Sequence, residues 1–290
     1  MKKRALAYII IAGVLWGTSG IFFNMLEPLG FSPVQMTAMR GGVSAIVMSL
    51  YALIFKRRCF KVKFKELLAF ACSGLSVFFT ATCYFGAIEA SSVSTAVILM
   101  YTAPVFVMIY SVLFLGERLN SKKILSVIMM IIGCALVSGI IGGMKFSIYG
   151  IFLGLASGIA YSAYNIFTKI QMMNKSDSLS ATLYCFIIMG VVAFLSCKPE
   201  MLIKLTVKNP MPAIPLIIGI GVMTCVLPYF FYTKALKEIP AGTATSLGII
   251  EPMSATIFSL VFLDEKLAFA SVLGIILILV AVVMLSKNED

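Results

Sequence analysis

Glu251 and Arg40 are the two charged side chains that interrupt long apolar stretches deeply, Glu251 between Ile250 and Pro252 and Arg40 between Met39 and Gly41. An ionisable group in hydrocarbon costs on the order of 2.5 to 3.5 kcal/mol, so each needs a partner, a water-filled cavity or, for the carboxyl, a proton. Glu251 therefore reads as a proton carrier, a substrate ligand, or a structural hydrogen-bonding group. Arg40 reads as one half of a packing ion pair, a clamp on a backbone carbonyl, or a receptor for a substrate carboxylate. Around them, Trp16, Tyr84, Tyr101, Tyr161, Tyr164, Tyr229 and Tyr232, with the amide of Asn165, stand inside other apolar stretches. Such rings can stack on an apolar substrate or hold a cation, core packing being the alternative fate of each. Pro104 and Pro252 interrupt two further stretches. A proline frees the carbonyl four residues before it, which marks either irregular backbone beside a cavity or a kink that only serves packing.

The elements that must position these groups are membrane helices. The chain has 290 residues, 61% of them apolar and 12% charged, more hydrocarbon than a soluble core of that size hides. Its mean hydropathy is +1.05. Stretches long enough to cross a bilayer of about 30 Å recur at 5–26, 34–55, 67–88, 93–115, 124–141, 146–168, 179–197, 213–233, 243–263 and 267–285. Their density of apolar residues predicts helices rather than alternating barrel strands. Counting at about 1.5 Å per residue puts Glu251 roughly 12 Å inside from Thr243 and Arg40 roughly 9 Å inside from Val34. An axial gap of about 9 Å then separates them.

With the N-terminus inside, 17 lysines and arginines fall on the inner side and five on the outer, Arg40 being within a span. That bias predicts both termini cytoplasmic in a multi-pass protein of the cell membrane. Lys198, Lys204 and Lys208, between spans seven and eight, run against it. Cys59, in the basic loop after span two, is the natural reporter for inside labelling. The basic start does not read as a cleaved leader, since its apolar run continues through Trp16 to Met25. The seven cysteines lack metal spacing, so neither a disulfide framework nor a metal site is expected.

The chain repeats itself. At an offset of 148 residues, Tyr84 to Leu119 aligns with Tyr232 to Leu267 without a gap, and twelve of 36 positions agree, among them Tyr84 with Tyr232, Pro104 with Pro252 and Glu117 with Glu265. A weaker echo at 145 sets Gly13 to Gly17 beside Gly158 to Ser162. Five spans per half, an odd number, predict two inverted halves, 1–141 and 146–290, related by an axis in the membrane plane. Glu117 and Glu265 are expected to serve the starts of spans five and ten. The stripes Gly13-x-x-x-Gly17 and Gly150-x-x-x-Gly154-x-x-x-Gly158 permit close helix approach, with internal packing favoured over a sliding surface between halves.

Taken in order, Trp16-Gly17, Arg40, Pro104 with Leu115-Gly116-Glu117-Arg118-Leu119, and Glu251-Pro252 with Leu263-Asp264-Glu265-Lys266-Leu267 resemble the EamA-type members of the drug/metabolite transporter superfamily. The resemblance covers nearly the whole chain. It implies ten transmembrane helices as two inverted five-helix repeats around a central cavity, lined by spans one, three, four, six, eight and nine. It also implies a substrate that is an amino acid, another small metabolite or a drug-like compound, usually exported. With no histidine, no paired carboxylates and no P-loop in the sequence, the expectation is a gradient-driven transporter that is not an enzyme and needs no cofactor. Its partners are a small-molecule substrate, the lipid bilayer and protons as the coupling candidate, not nucleic acid. The alternative is a membrane-embedded enzyme or flippase acting on lipid-linked substrates.

Overall fold

In the computed structural model, residues 3–114, 121–137, 147–174, 176–236 and 250–286 are described, and the regular elements among them are helical. Six helices are long and apolar enough to cross a membrane: Arg4–Leu29, Pro33–Phe55, Phe64–Ala90, Ile148–Thr168, Ser178–Ser196 and Pro210–Tyr232. Shorter apolar helices run over Val93–Val107, Ile124–Gly133, Ile250–Phe262 and Phe269–Ala281. The protein is thus an all-helical, multi-pass membrane protein. Span nine, predicted from residue 243, has its first seven residues outside the described segments.

Three spans are broken where the sequence offers local alternatives to the helical ladder. α1 (Lys3–Gly17) gives way to α2 (Ser19–Leu26) at Thr18, whose hydroxyl donates to the Leu15 carbonyl at 2.6 Å, while Ser19 Oγ donates to Trp16 O at 2.7 Å. Such back-bonding bends helices. α5 (Val93–Met100) and α6 (Ala103–Phe114) are separated at Tyr101 and Thr102, just ahead of Pro104, which sits where a first-turn proline costs the ladder nothing. α11 (Pro210–Gly221) passes through a π-turn, Val222–Val226, into α12 (Leu227–Leu236). Pro228 explains the π-turn, because its ring and missing N–H disrupt the bond to Thr224 O.

The continuous helices are α3 (Pro33–Phe55), α4 (Phe64–Ala90), α7 (Ser121–Val137), α8 (Ile148–Met173), α9 (Ser178–Ser196), α13 (Ile250–Phe262) and α14 (Phe269–Ser286). Caps start them. Ser32 and Gln35 form a reciprocal capping box on α3, and the Asp177 carboxylate accepts from Ser180 N at 2.9 Å to open α9. The segment read as a loop after span seven contains a further helix, α10 (Pro199–Lys208). Its Leu202 and Leu205 pack on the core while Met201, Ile203 and Val207 are exposed, and it carries Lys204 and Lys208, with Lys198 at its N-cap, the three lysines that ran against the charge bias. Cys59 is only 4% exposed, and burial with the neighbouring Asp177 charge pushes its thiol pKa up, which makes it a poor labelling reporter.

Packing runs mostly between the first and second halves of the chain. α4 packs on α8, α1 on α12 and α13, α5 and α6 on α8, α3 on α9 and α11, and α7 on α14. A Cβ added to Gly17 would fall 2.9 Å from Ala255 N, and one on Gly158 3.1 Å from Leu99 O. Both glycine stripes therefore lie between halves, α1 against α13 and α8 against α5, and not within a half as favoured from sequence. Helix α3 meets α9 most closely where a Cβ on Gly41 would lie 2.7 Å from Gly190 Cα.

Candidate functional site

Glu251, in the first turn of α13, accepts a hydrogen bond of 2.8 Å from the Tyr101 hydroxyl. Tyr101 stands in the break between α5 and α6, which turns its side chain out of the helical register and toward α13. A phenol hydroxyl both donates and accepts, so the pair stays bonded whether the carboxyl is charged or protonated. Gly13 lets α1 press on the same point, since a Cβ there would lie 3.3 Å from Glu251 N.

From Tyr101 a wall of rings extends through four more elements. Its centroid is 6.5 Å from that of Tyr161 on α8, and Tyr161 stacks on Tyr164 at 6.2 Å with an interplanar angle of 9°. Tyr229 of α12 donates its hydroxyl to that of Tyr164 at 3.3 Å. Trp16, directly before the Thr18 break, meets Tyr229 edge-on at 5.6 Å and Tyr232 at 5.6 Å. Phe186 of α9, not singled out from sequence, presents its edge to Tyr229 at 5.2 Å. Six of the rings named from sequence thus join Glu251 in one continuous group.

Two named residues stand apart from it. Tyr84 is 5% exposed and its ring packs on Phe85, in the same hydrophobic cluster as Tyr101 but with no described ring contact to the wall. Asn165 is exposed. One helical turn separates it from Tyr161, so the two share a face, while the exposed Phe152, Ile159 and Ile170 lie on the opposite face of α8. Asn165 is thus exposed on the face of α8 that carries Tyr161. Pro252 is buried in the first turn of α13, and Pro104 lies in the first turn of α6 at the break.

Arg40 acts as a carbonyl clamp. Its Nη2 donates to Thr224 O at 3.0 Å and its Nε to Cys225 Sγ at 2.8 Å. The acceptor is the carbonyl that Pro228 frees, so the arginine's described hydrogen bonds satisfy the π-turn while the carboxylate's goes to Tyr101, and the charges of Arg40 and Glu251 act on one another without a described bond. A proline four residues after Thr224 was the available sequence signal. Ser44 Oγ reinforces the joint by donating to Gly221 O at 3.2 Å.

Glu265 corrects its sequence reading. Its carboxylate crosses to the start of α5 and accepts from Val93 N at 2.7 Å, Ser94 Oγ at 2.9 Å and Ser94 N at 3.4 Å. It caps span four, not span ten; Glu117 lies outside the described residues. Ser94 is 1% exposed and also shares a 2.7 Å bond with Ser259. Glu265→Ala is expected to strand these donors at a cost of ~1 to 3 kcal/mol. A lower melting temperature of the purified variant checks this; an unchanged one would show the cap contributes nothing.

Comparison with known proteins places this geometry. The model of the EamA-like transporter family matches twice, over residues 3–139 and 148–287. The transporter YwfM of Bacillus subtilis, named as uncharacterized, is 24% identical over 96% of this chain and 92% of its own. An uncharacterized transporter of Archaeoglobus fulgidus is 28% identical over 96% and 94%. The pseudopaline exporter CntI of Pseudomonas aeruginosa is 24% identical over 71% and 70%. A solved crystal structure superposes over 100% of both chains with a TM-score of 0.64 at 14% identity, a likeness of fold alone. With both matches together spanning nearly its whole length, the chain belongs to the EamA-like transporter family.

Proposed function

We propose that the protein is a secondary active transporter that exports a small metabolite, an amino acid or an amphiphilic, drug-like compound, across the plasma membrane by alternating access. The observation that carries this reading is the Glu251–Tyr101 pair joined to a wall of rings that gathers Trp16 and Tyr101 from helix breaks and Tyr161 and Tyr164 from α8. A lone carboxylate there offers a site for a proton or a cationic group, and the rings offer stacking surface. The transporter names of the relatives favour transport over the enzyme or flippase alternative, and CntI is itself named an exporter.

Ten crossings in two inverted halves, 1–141 and 146–290, with both termini cytoplasmic, complete the proposal. The packing supports it, because exchanging the halves maps contacts onto contacts: α4 on α8 answers α1 on α12, and α5 on α8 answers α13 on α1. Gly41 and Gly190, 149 residues apart, are close to repeat mates, and a residue that meets its own mate lies on the two-fold axis.

Asn165 lies toward the end of α8 that this topology puts in the cytoplasm. Asn165→Cys, in a background freed of other reactive thiols, is expected to react with an impermeant reagent from the cytoplasmic side, and substrate is expected to slow the reaction. Labelling from the outer side alone would reverse the topology.

A further inference from the structure

Away from the ring wall, a pocket of about 520 Å³ lies where α3 ends and α4 begins, against the start of α9. Its lining carries Lys56, Arg57, Arg58 and Lys61 against two carboxylates, Glu66 and Asp177. Both acids are occupied at helix ends. Asp177 accepts from Ser180 N and Oγ at 2.9 and 3.0 Å and from the Cys59 thiol at 3.5 Å, and Glu66 accepts from Lys63 N at 2.9 Å and Ser176 Oγ at 3.3 Å. Arg57 turns its Nε back onto Leu53 O at 2.9 Å, and the charge of Lys56 acts on Asp177. That leaves the exposed Arg58 and Lys61 without an acid of their own among the described contacts.

Hydrocarbon also lines this cationic pocket, at Phe55, Val62 and Phe70, and the chain neighbours Ile54 and Phe64 extend the apolar surface. Ile54, Phe55 and Phe64 are 70%, 68% and 76% exposed where two membrane-crossing helices end. A soluble anion would satisfy the charges and leave those side chains in contact with water. An amphiphile satisfies both. We propose that this pocket binds the phosphodiester headgroup of an anionic glycerophospholipid, held by Lys56, Arg58 and Lys61, with its glycerol and acyl region against Phe55 and Phe64. Arginine and lysine at a membrane surface take phosphate through charge-assisted bonds, and each contributes to retention of anionic lipid. Bound there, the lipid ties the α3–α4 connection to the capped start of α9, across the contact that joins the halves. The inference rests on the chain lying in a bilayer and is independent of the transported substrate.

The test is thermal unfolding of delipidated protein in neutral detergent, titrated with phosphatidylglycerol, phosphatidylcholine or inorganic phosphate. Phosphatidylglycerol is expected to raise the melting temperature of wild type, with phosphatidylcholine and phosphate at equal concentration giving little shift. Arg58→Gln/Lys61→Gln is expected to weaken the apparent affinity for phosphatidylglycerol at least ten-fold, while Lys204→Gln/Lys208→Gln on α10 leaves it unchanged. If the double variant does not purify, Arg58→Gln and Lys61→Gln singly, at exposed side chains, are each expected to lose half or more of the shift. Equal stabilisation of wild type and the Arg58/Lys61 variants would overturn the site. Phosphatidylcholine matching phosphatidylglycerol would overturn the role of charge, and phosphate matching the lipid would replace the lipid with a soluble anion.

Discussion

Glu251→Gln is expected to abolish uphill transport while leaving exchange intact. If one proton moves per substrate, a pH difference of one unit is worth about 1.4 kcal/mol and supports about ten-fold accumulation. Wild type in proteoliposomes should approach that ratio and the glutamine variant should stay near unity, because its amide keeps the bond to the Tyr101 hydroxyl but cannot release a proton. Exchange of internal for external substrate needs only the reorientation of a loaded site, so it persists. Equal loss of exchange and accumulation in well-folded protein would assign Glu251 to binding or structure instead.

Gly41→Leu is expected to prevent folding. Its Cβ would stand 2.7 Å from Gly190 Cα and 2.8 Å from Gly190 N, atoms of a backbone that cannot rotate away. The surrounding Met39, Ala38, Phe186 and Met189 are all buried, so separating α3 from α9 would open the packing on both sides. Overpacking in a close-fitted interior costs about 1 to 3 kcal/mol where side chains can adjust, and a backbone contact lies at or above the top of that range. The neighbouring Gly42 has nothing within 4 Å of an added Cβ, so Gly42→Ala is the matched control and should be tolerated. Size-exclusion profiles and melting temperatures of the two variants decide it. A normal Gly41→Leu protein would place the crossing of the halves elsewhere.

The helices were legible because lipid demands long apolar stretches, and most described residues of the stretches picked out by hydropathy fall on helix, the breaks and some span ends excepted. The breaks were less so. Pro104 announced one, but the Thr18 break depends on which way two hydroxyls turn, and the π-turn at Val222–Val226 depends on Arg40 arriving from α3. Glu265 was misassigned for a similar reason. Sequence distance favoured the helix next to it, whereas the donors it meets are Val93 and Ser94, more than 170 residues earlier. α10 escaped because ten residues with lysines at two positions, preceded by Lys198, read as a loop unless its apolar face is known.

At the candidate site, residue types were readable and grouping was not. Trp16, Tyr101, Tyr161, Tyr229, Tyr232 and Glu251 could be named as a set of polar-tipped rings and a carboxyl inside spans, although core packing is the favoured fate of any one ring. Tyr84 looked the same in sequence, yet its described ring contact is with Phe85 and not with the wall, since a ring's role depends on which helix face meets a neighbour. Arg40 offered an ion pair, a clamp or a receptor, and only the position of Thr224 O selects the clamp.

Trp16 is the single tryptophan of the chain, and it stands in the ring wall. Its emission therefore reports on that wall without labelling. The most direct measurement is a titration of purified wild type and Glu251→Gln with amino acids, amines, nucleosides and drug-like cations, following melting temperature and Trp16 emission together. The account predicts one chemical class that raises the wild-type melting temperature by mass action and shifts Trp16 emission over the same concentrations, with both effects lost in Glu251→Gln. A ligand that stabilises both proteins equally and leaves Trp16 emission unchanged would place the substrate site elsewhere and contradict the account.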